Sequence, residues 1–284
     1  MTAKESYDPA SHYDRVMAAW QLLLGDELHY GVFDDGDEPL DVATRALTER
    51  MVAAADLQSS GRLRVLDVGC GSGAPARTIA GRFGVEVVGI TTSAVGVETA
   101  RRRTAEARVD GVTFEQRDGT ANGFDDASFD RVWVMESAHL MRDKDALVSE
   151  CARVLRPGGR LVLCDLVWWR EIAFREVRER RDDFAVLREA FGDAHFESLD
   201  GFGALATEHG LVLDRSDDLT AATLPTFDRW RANADAHHDA VVELIGTAGR
   251  DAFLRSCDIL EAFWRDGTFG YGLVSATRPG RSTS

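Results

Sequence analysis

His139, in Met135-Glu136-Ser137-Ala138-His139-Leu140, and Asp165, in Cys164-Asp165-Leu166, each stand at the end of an apolar run. An imidazole titrates near neutrality and suits general-base work; a carboxylate beside it can orient the ring and stabilise the imidazolium. Asp165 can equally well satisfy local backbone groups. A different chemistry is written in Val65-Leu66-Asp67-Val68-Gly69-Cys70-Gly71-Ser72-Gly73, an apolar strand running into three glycines at alternate positions. Such glycines allow positive φ and close approach of backbone to a ligand. A helix starting at Ala74 would then present free N–H groups and a positive dipole end to the carboxylate or phosphate of a nucleotide-like cofactor. In Arg117-Asp118-Gly119-Thr120, Asp118 is placed either to accept from an adenine amine or to form a turn before glycine. Thr91, Thr92 and Ser93 offer hydroxyls to a ribose, with Ser93 an equal candidate to cap the next helix.

The glycine spacing alone leaves two cofactors open, because Gly69, Gly71 and Ala74 also satisfy a loose dinucleotide fingerprint. A dinucleotide site wants an acid about 20 residues further on for the ribose. Here the next apolar run, Val85 to Ile90, leads into Thr91-Thr92-Ser93 instead.

These residues need a scaffold, and from Leu63 to Val167 apolar strands alternate with amphipathic helices, the pattern of a parallel sheet covered on both faces. Strands are predicted over 64–68, 85–90, 112–116, 129–134 and 160–166, with helices beginning near Ala74, Ser93 and Asp143. The third helix stops at Leu155-Arg156-Pro157-Gly158-Gly159. Ligands bind outside the carboxyl ends of the strands in such sheets, where the candidate residues fall. Residues 1–60 read as a helical lid, 61–167 as the cofactor-binding core, and 168–210 as a helical cap. Residues 211–284 read as two last strands, near 211–217 and 268–276, around a helical insertion over 226–267. The expected fold is therefore α/β, a doubly wound, seven-stranded, mostly parallel sheet. An acceptor pocket is expected beneath the helices of 168–264, with Trp168, Trp169, Phe191, Phe196, Trp230, Phe263, Trp264 and Tyr271 as candidate walls.

A net charge of −15 argues against a general affinity for nucleic acid or anionic membrane. No apolar run approaches the ~18 residues of a span and no signal core precedes the lid, so a cytoplasmic address is expected. Cys70, Cys151, Cys164 and Cys257 form no C-x-x-C pair, and no metal-ligand spacing is present. Reduced thiols and no metal are expected. Only Lys4 and Lys144 are lysines, all other basic residues being arginine.

The form D-x-G-x-G-x-G from Asp67 resembles the first motif of the class I S-adenosylmethionine-dependent methyltransferases. Together with Val88 to Ser93, Phe129 to His139 and Arg153 to Leu161, it makes nearly the whole chain similar to the ubiquinone/menaquinone-biosynthesis and cyclopropane-synthase-related groups. Within these it resembles actinobacterial natural-product enzymes of the rebeccamycin sugar O-methyltransferase type. The resemblance implies S-adenosylmethionine as cofactor, with Asp67, Gly69 and Gly71 on its methionine part, Thr91 and Thr92 near ribose and Asp118 on adenine. Tyr13 and Tyr30, the latter in a Leu28-His29-Tyr30-Gly31 segment, are implied to contact it from the lid. Gly73, Gly119 and Glu136 complete the expected cofactor set. His139 is implied as the base, helped by Asp165, for O-methylation of a bulky small molecule. C-methylation and a methyltransferase-fold cyclase that transfers no methyl are the alternatives. The sequence also departs from the pattern: Leu140 follows His139 where sugar-methylating members often pair histidines, and Ala94 to Gly96 stand where a glutamine is common.

Overall fold

A computed structural model describes residues 9–58 and 62–280, with side chains from Met17 onward. In chain order the elements are α1 (Pro9–Leu24), α2 (Leu40–Ala55), β1 (Arg64–Val68), α3 (Ala74–Phe83), β2 (Glu86–Thr91), α4 (Ala94–Ala107), β3 (Val112–Gln116) and β4 (Phe129–Met135). A single 3₁₀ turn, Ala138–Leu140, leads to α5 (Lys144–Val154), β5 (Leu155–Trp168), α6 (Phe174–Glu179), α7 (Arg181–Phe191), β6 (Glu197–Ser198) and α8 (Leu199–Glu208). The chain closes with β7 (Val212–Asp218), α9 (Thr220–Thr223), α10 (Thr226–Ala236), α11 (His238–Arg265, broken at Gly246) and β8 (Phe269–Thr277).

The sheet runs β3-β2-β1-β4-β5-β8-β7. The first five strands in this path are parallel, and β8 is antiparallel to both its neighbours. Strands with both faces covered must be apolar throughout, and Val65, Leu66, Val68, Val87, Ile90 and Val132 to Val134 are all buried. Leu47, Met51, Ile79, Trp230 and Phe263 cover one face; Leu147, Val148, Cys151, Phe202 and Ala206 cover the other. Each buried Leu, Ile, Met, Val or Phe among them contributes on the order of 1.5–3 kcal/mol by leaving water. Helix starts are set by side chains: Ser93 accepts from Gly96 N at 2.7 Å, Asp143 from Ala146 N at 2.8 Å and Ser198 from Gly201 N at 2.9 Å. Each cap is worth about 0.5–2 kcal/mol.

Two expectations are corrected. The sheet gains an eighth, two-residue strand, β6, inside the segment expected to be helical over 168–210. It forms because β5 overruns its parallel partner β4, leaving Val167 and Trp168 an open side to pair with Glu197 and Ser198. The fifth strand starts at Leu155, which pairs with Phe129, rather than after the glycine pair; Gly158 N and Gly159 O bond the backbone of Arg278. The helical insertion over 226–267 is built from α10 and α11.

Candidate active site

The carboxyl ends of β1, β2 and β4 meet at one edge, where the chain turns sharply. Gly69 has φ +81°, and a Cβ there would lie 2.1 Å from Ser137 Cβ, so only glycine lets the loop after β1 approach the turn after β4. Ser137 Oγ donates to Val68 O at 2.6 Å and ties the two ends together. Gly69 N and Cys70 N both donate to Ile90 O, which fixes the loop against β2.

Two connected hollows open at this edge. A cleft of about 410 Å³ is lined by Gly69, Gly71, Thr91, Thr92, Asp118, Gly119, Glu136 and Leu140. An inner pocket of about 80 Å³ is lined by Glu27, Leu28, His29, Asp67, Gly69, Gly71 and Glu136. The expected cofactor residues are thus brought together, with three exceptions. Tyr30 lines neither hollow but the apolar cavity beside them, with Trp20 and Trp230. Gly73 lines neither hollow: its φ is +73° and a Cβ would strike the Phe114 ring at 2.5 Å, so its work is the turn into α3. Tyr13 lies outside the residues whose side chains are described. Ser93 caps α4, and Asp118 Oδ1 accepts from both Thr120 N and Thr120 Oγ1 at 2.8 Å while its residue faces the cleft.

Asp67 is 3% exposed and its carboxylate accepts no hydrogen bond from any described residue. Burial alone pushes its carboxyl up to about 7. A buried, unpartnered carboxyl beside a glycine cradle fits a ligand that brings its own cation.

Sequence reasoning missed the pair opposite Asp67. His29 is buried, its Nε2 3.0 Å from Glu27 Oε2 and its Nδ1 2.8 Å from Tyr30 O. Both ring nitrogens face acceptors, the pattern of an imidazolium. Burial would lower the His29 pKa, but Glu27 and Glu136 outweigh it and hold it raised. Buried polar pairs in loops leave no periodic trace.

A third cavity, of about 280 Å³, adjoins the cleft through Glu136 and Leu140. Its walls are mostly apolar, with Trp20, Leu24 and Leu28 from the N-terminal segment, Phe184, Leu187 and Phe191 from α7, and Phe196, Trp230 and Leu260, while Glu136, His139, Arg188 and Asp193 supply the polar part. Of the eight expected wall residues, Phe191, Phe196 and Trp230 line it. Trp168, Trp169, Phe263, Trp264 and Tyr271 do not. Phe263, Trp264 and Tyr271 are core, and Trp169 is 40% exposed.

His139 stands on this cavity's wall, beside Glu136. Its Nδ1 is 2.7 Å from Asp165 Oδ1, and its backbone N donates to Asp165 Oδ2 at 3.1 Å. Asp165 is fully buried and also accepts from Leu166 N at 2.7 Å, so it satisfies backbone and orients the ring at once. Burial would lower the His139 pKa; the charge and hydrogen bond of Asp165, with Glu136, hold it raised. Glu136 Oε1 accepts from Tyr30 N at 2.7 Å and from the Tyr271 hydroxyl at 2.5 Å. Burial pushes its own carboxyl up, offset in part by His29 and Tyr271. Glu136 and Leu28 hold positive φ, 47° and 56°, a strain of about 1–3 kcal/mol each at the junction of the cavities.

Comparison with known proteins identifies the family. A family described as a methyltransferase domain matches residues 66–163. Over 98% of this chain and the whole of that protein, the chain is 34% identical to the 27-O-demethylrifamycin SV methyltransferase of Amycolatopsis mediterranei. The chain belongs to the S-adenosylmethionine-dependent methyltransferases. The methyltransferase is also 33% identical to methyltransferase GfsG of Streptomyces halstedii, over 96% of this chain and 95% of that one. Among solved structures it is similar to the [4+2]-cyclase SpnF, with a TM-score of 0.80, 25% identity and coverage of 95% and 96%. It shares its fold with the mycolic acid cyclopropane synthase CmaA1 at a TM-score of 0.83 and 20% identity, covering 96% of this chain and all of that one. The cofactor of the methyltransferase is S-adenosylmethionine. No described helix is long and apolar enough to cross a membrane, all four cysteines are free and buried, and no group of three metal-ligating side chains occurs among the described residues.

Proposed function

We propose that this methyltransferase O-methylates a hydroxyl of a bulky, largely apolar natural product, with His139 as general base and Asp165 as the group that orients it. The observation that carries the reading is the His139–Asp165 pair, 2.7 Å apart, on the wall of an apolar cavity that adjoins the cofactor cleft. With Nδ1 donating to Asp165, Nε2 is the ring nitrogen left to take a hydroxyl proton. The full-length kinship with 27-O-demethylrifamycin SV methyltransferase supports an oxygen acceptor from secondary metabolism.

S-adenosylmethionine supplies an electrophilic methyl group on sulfur. Asp67, unpartnered, is suited to the cofactor's ammonium, the glycine loop to its methionine part, Thr91 and Thr92 to ribose, and Asp118 to adenine. Trp20, Leu28, Tyr30, Phe191 and Trp230 exclude water and hold the acceptor in line with the methyl group. We infer that residues 1–60 act as the lid, since they contribute Trp20, Leu24, Leu28 and Tyr30 to the acceptor cavity. The site acts on small molecules; its charge and apolar cavity favour neither nucleic acid nor membrane.

His139→Ala tests the assignment. Turnover of a hydroxylated acceptor should fall by roughly 10²–10⁴ while cofactor affinity stays near that of the parent, since a base is worth about that factor. An unchanged rate would remove His139 from the chemistry.

A further inference from the structure

Lys144 is one of only two lysines in a chain of arginines, and it is buried, 7% exposed. Its Nζ donates to Ala138 O at 2.8 Å and also to Met141 O. Those two carbonyls bracket His139, which lies within the 3₁₀ turn Ala138–Leu140. No described carboxylate forms an ion pair with Lys144 within 4.0 Å, and the charges that act on it at longer range are Asp165 and Glu197. A compact ammonium with freely rotating donors fits between two converging carbonyls, where a planar guanidinium fork does not. That is a physical reason for lysine where the chain otherwise uses arginine.

Several charged groups face His139. Asp165 comes from β5, Glu136 from the end of β4 and Lys144 from the start of α5. The 192–196 segment packs on it through His195 N, which donates to His139 O at 2.7 Å, and brings Asp193 to the same cavity wall as Arg188 of α7. Arg142, Lys144 and Asp193 in turn act on His195. Asp165 and Glu136 favour the imidazolium, and Lys144 opposes them.

We propose that Lys144 is a positioning residue for the His139–Asp165 pair: its ammonium clamps the 138–141 turn that carries His139 and counters the negative field of Asp165 and Glu136, keeping the imidazole able to lose its proton near neutral pH. The proposal deepens the reading of His139 as base and rests on it for its catalytic meaning. Its electrostatic content can be measured without any acceptor.

The experiment is an NMR pH titration of the His139 ring C–H signal, assigned by its loss in His139→Ala, in the parent protein, Lys144→Met and Lys144→Arg. Removing the ammonium should raise the His139 pKa by roughly 0.5–1 unit, and arginine, which restores the charge, should return it toward the parent value. The parent signal should also show a second inflection near pH 8, because burial lowers the Lys144 ammonium to about 8. An unchanged pKa in Lys144→Met would mean that lysine only caps the turn, and a lower one that the ring had left Asp165; both overturn the proposal. If neither variant folds, absence of the second inflection in the parent overturns it. Should the shifts appear while His139→Ala keeps its full rate, the general-base reading falls and the Lys144 assignment stands.

Discussion

A carboxyl that burial alone holds near 7 is about half protonated in neutral solution, and Asp67 is such a group. An ammonium docking beside it favours the carboxylate and pulls its pKa down, so cofactor binding at pH 7 should release protons. Calorimetry in buffers of different ionisation enthalpy reads this directly. Asp67→Asn should abolish the buffer dependence and weaken binding by roughly 10–100-fold, a loss of one unneutralised charge contact; a parent heat independent of buffer would contradict the assignment. At His139 the sign runs the other way. A base whose pKa is raised works only above that pKa, so the acid limb of kcat/KM should lie above the ordinary imidazole value of 6.5. Asp165→Asn removes the raising charge: the limb should move to lower pH, and kcat should drop by roughly 10²–10⁴ through loss of ring orientation. An unmoved limb would mean that another group titrates. Asp67 and His139 were legible as candidates because one lies beside the glycine loop that ends β1 and the other in the turn that follows β4. The Glu27–His29 pair was not, since its meaning depends on a contact with Thr48 and on the approach of Glu136, far apart along the chain.

The elements that shape the acceptor cavity are α1 and α7, and neither belongs to the sheet. Phe191 is their meeting point, with ring centroids 6.2 Å from Trp20, 6.2 Å from Trp230 and 6.0 Å from Phe253. Phe191→Ala should raise the acceptor KM about 5–50-fold, the cost of some 1–2.3 kcal/mol of apolar contact, and leave cofactor affinity unchanged. A rise in cofactor Kd instead would place Phe191 outside the acceptor wall. Four of the five parallel strands were read to within a residue because buried strands are near-continuous apolar runs, as in Val65 to Val68 and Val132 to Val134, whereas β5 begins five residues before its expected start. The pocket walls were read less well. Helical periodicity marks Trp20 and Phe263 alike as inward-facing, and only packing decides that Trp20 borders a cavity while Phe263 fills the core between Phe184 and Phe269. The two-residue β6 is too short for any period to register.

Across the whole molecule, the sheet order places β1, with its glycine loop, between β2 and β4, so that three strand ends deliver Asp67, Thr91 and Glu136 to one edge. The antiparallel β8, inserted between β5 and β7, brings Tyr271 back under Glu136, and that carboxylate borders all three hollows. The α/β alternation made the parallel part of the sheet readable from its period, whereas the strand order and the antiparallel place of β8 depend on pairing that no period records. The proposed chemistry at its centre is a transfer of methyl to oxygen, and one measurement addresses it. Incubation with S-adenosylmethionine carrying a ¹³C-labelled methyl group and a panel of hydroxylated polyketides and glycosides, followed by carbon NMR of the product, reports where the label ends. The account predicts a labelled O-methyl signal that disappears with His139→Ala. A label on carbon, or a label left on the cofactor while the acceptor is converted to an isomer, would contradict it.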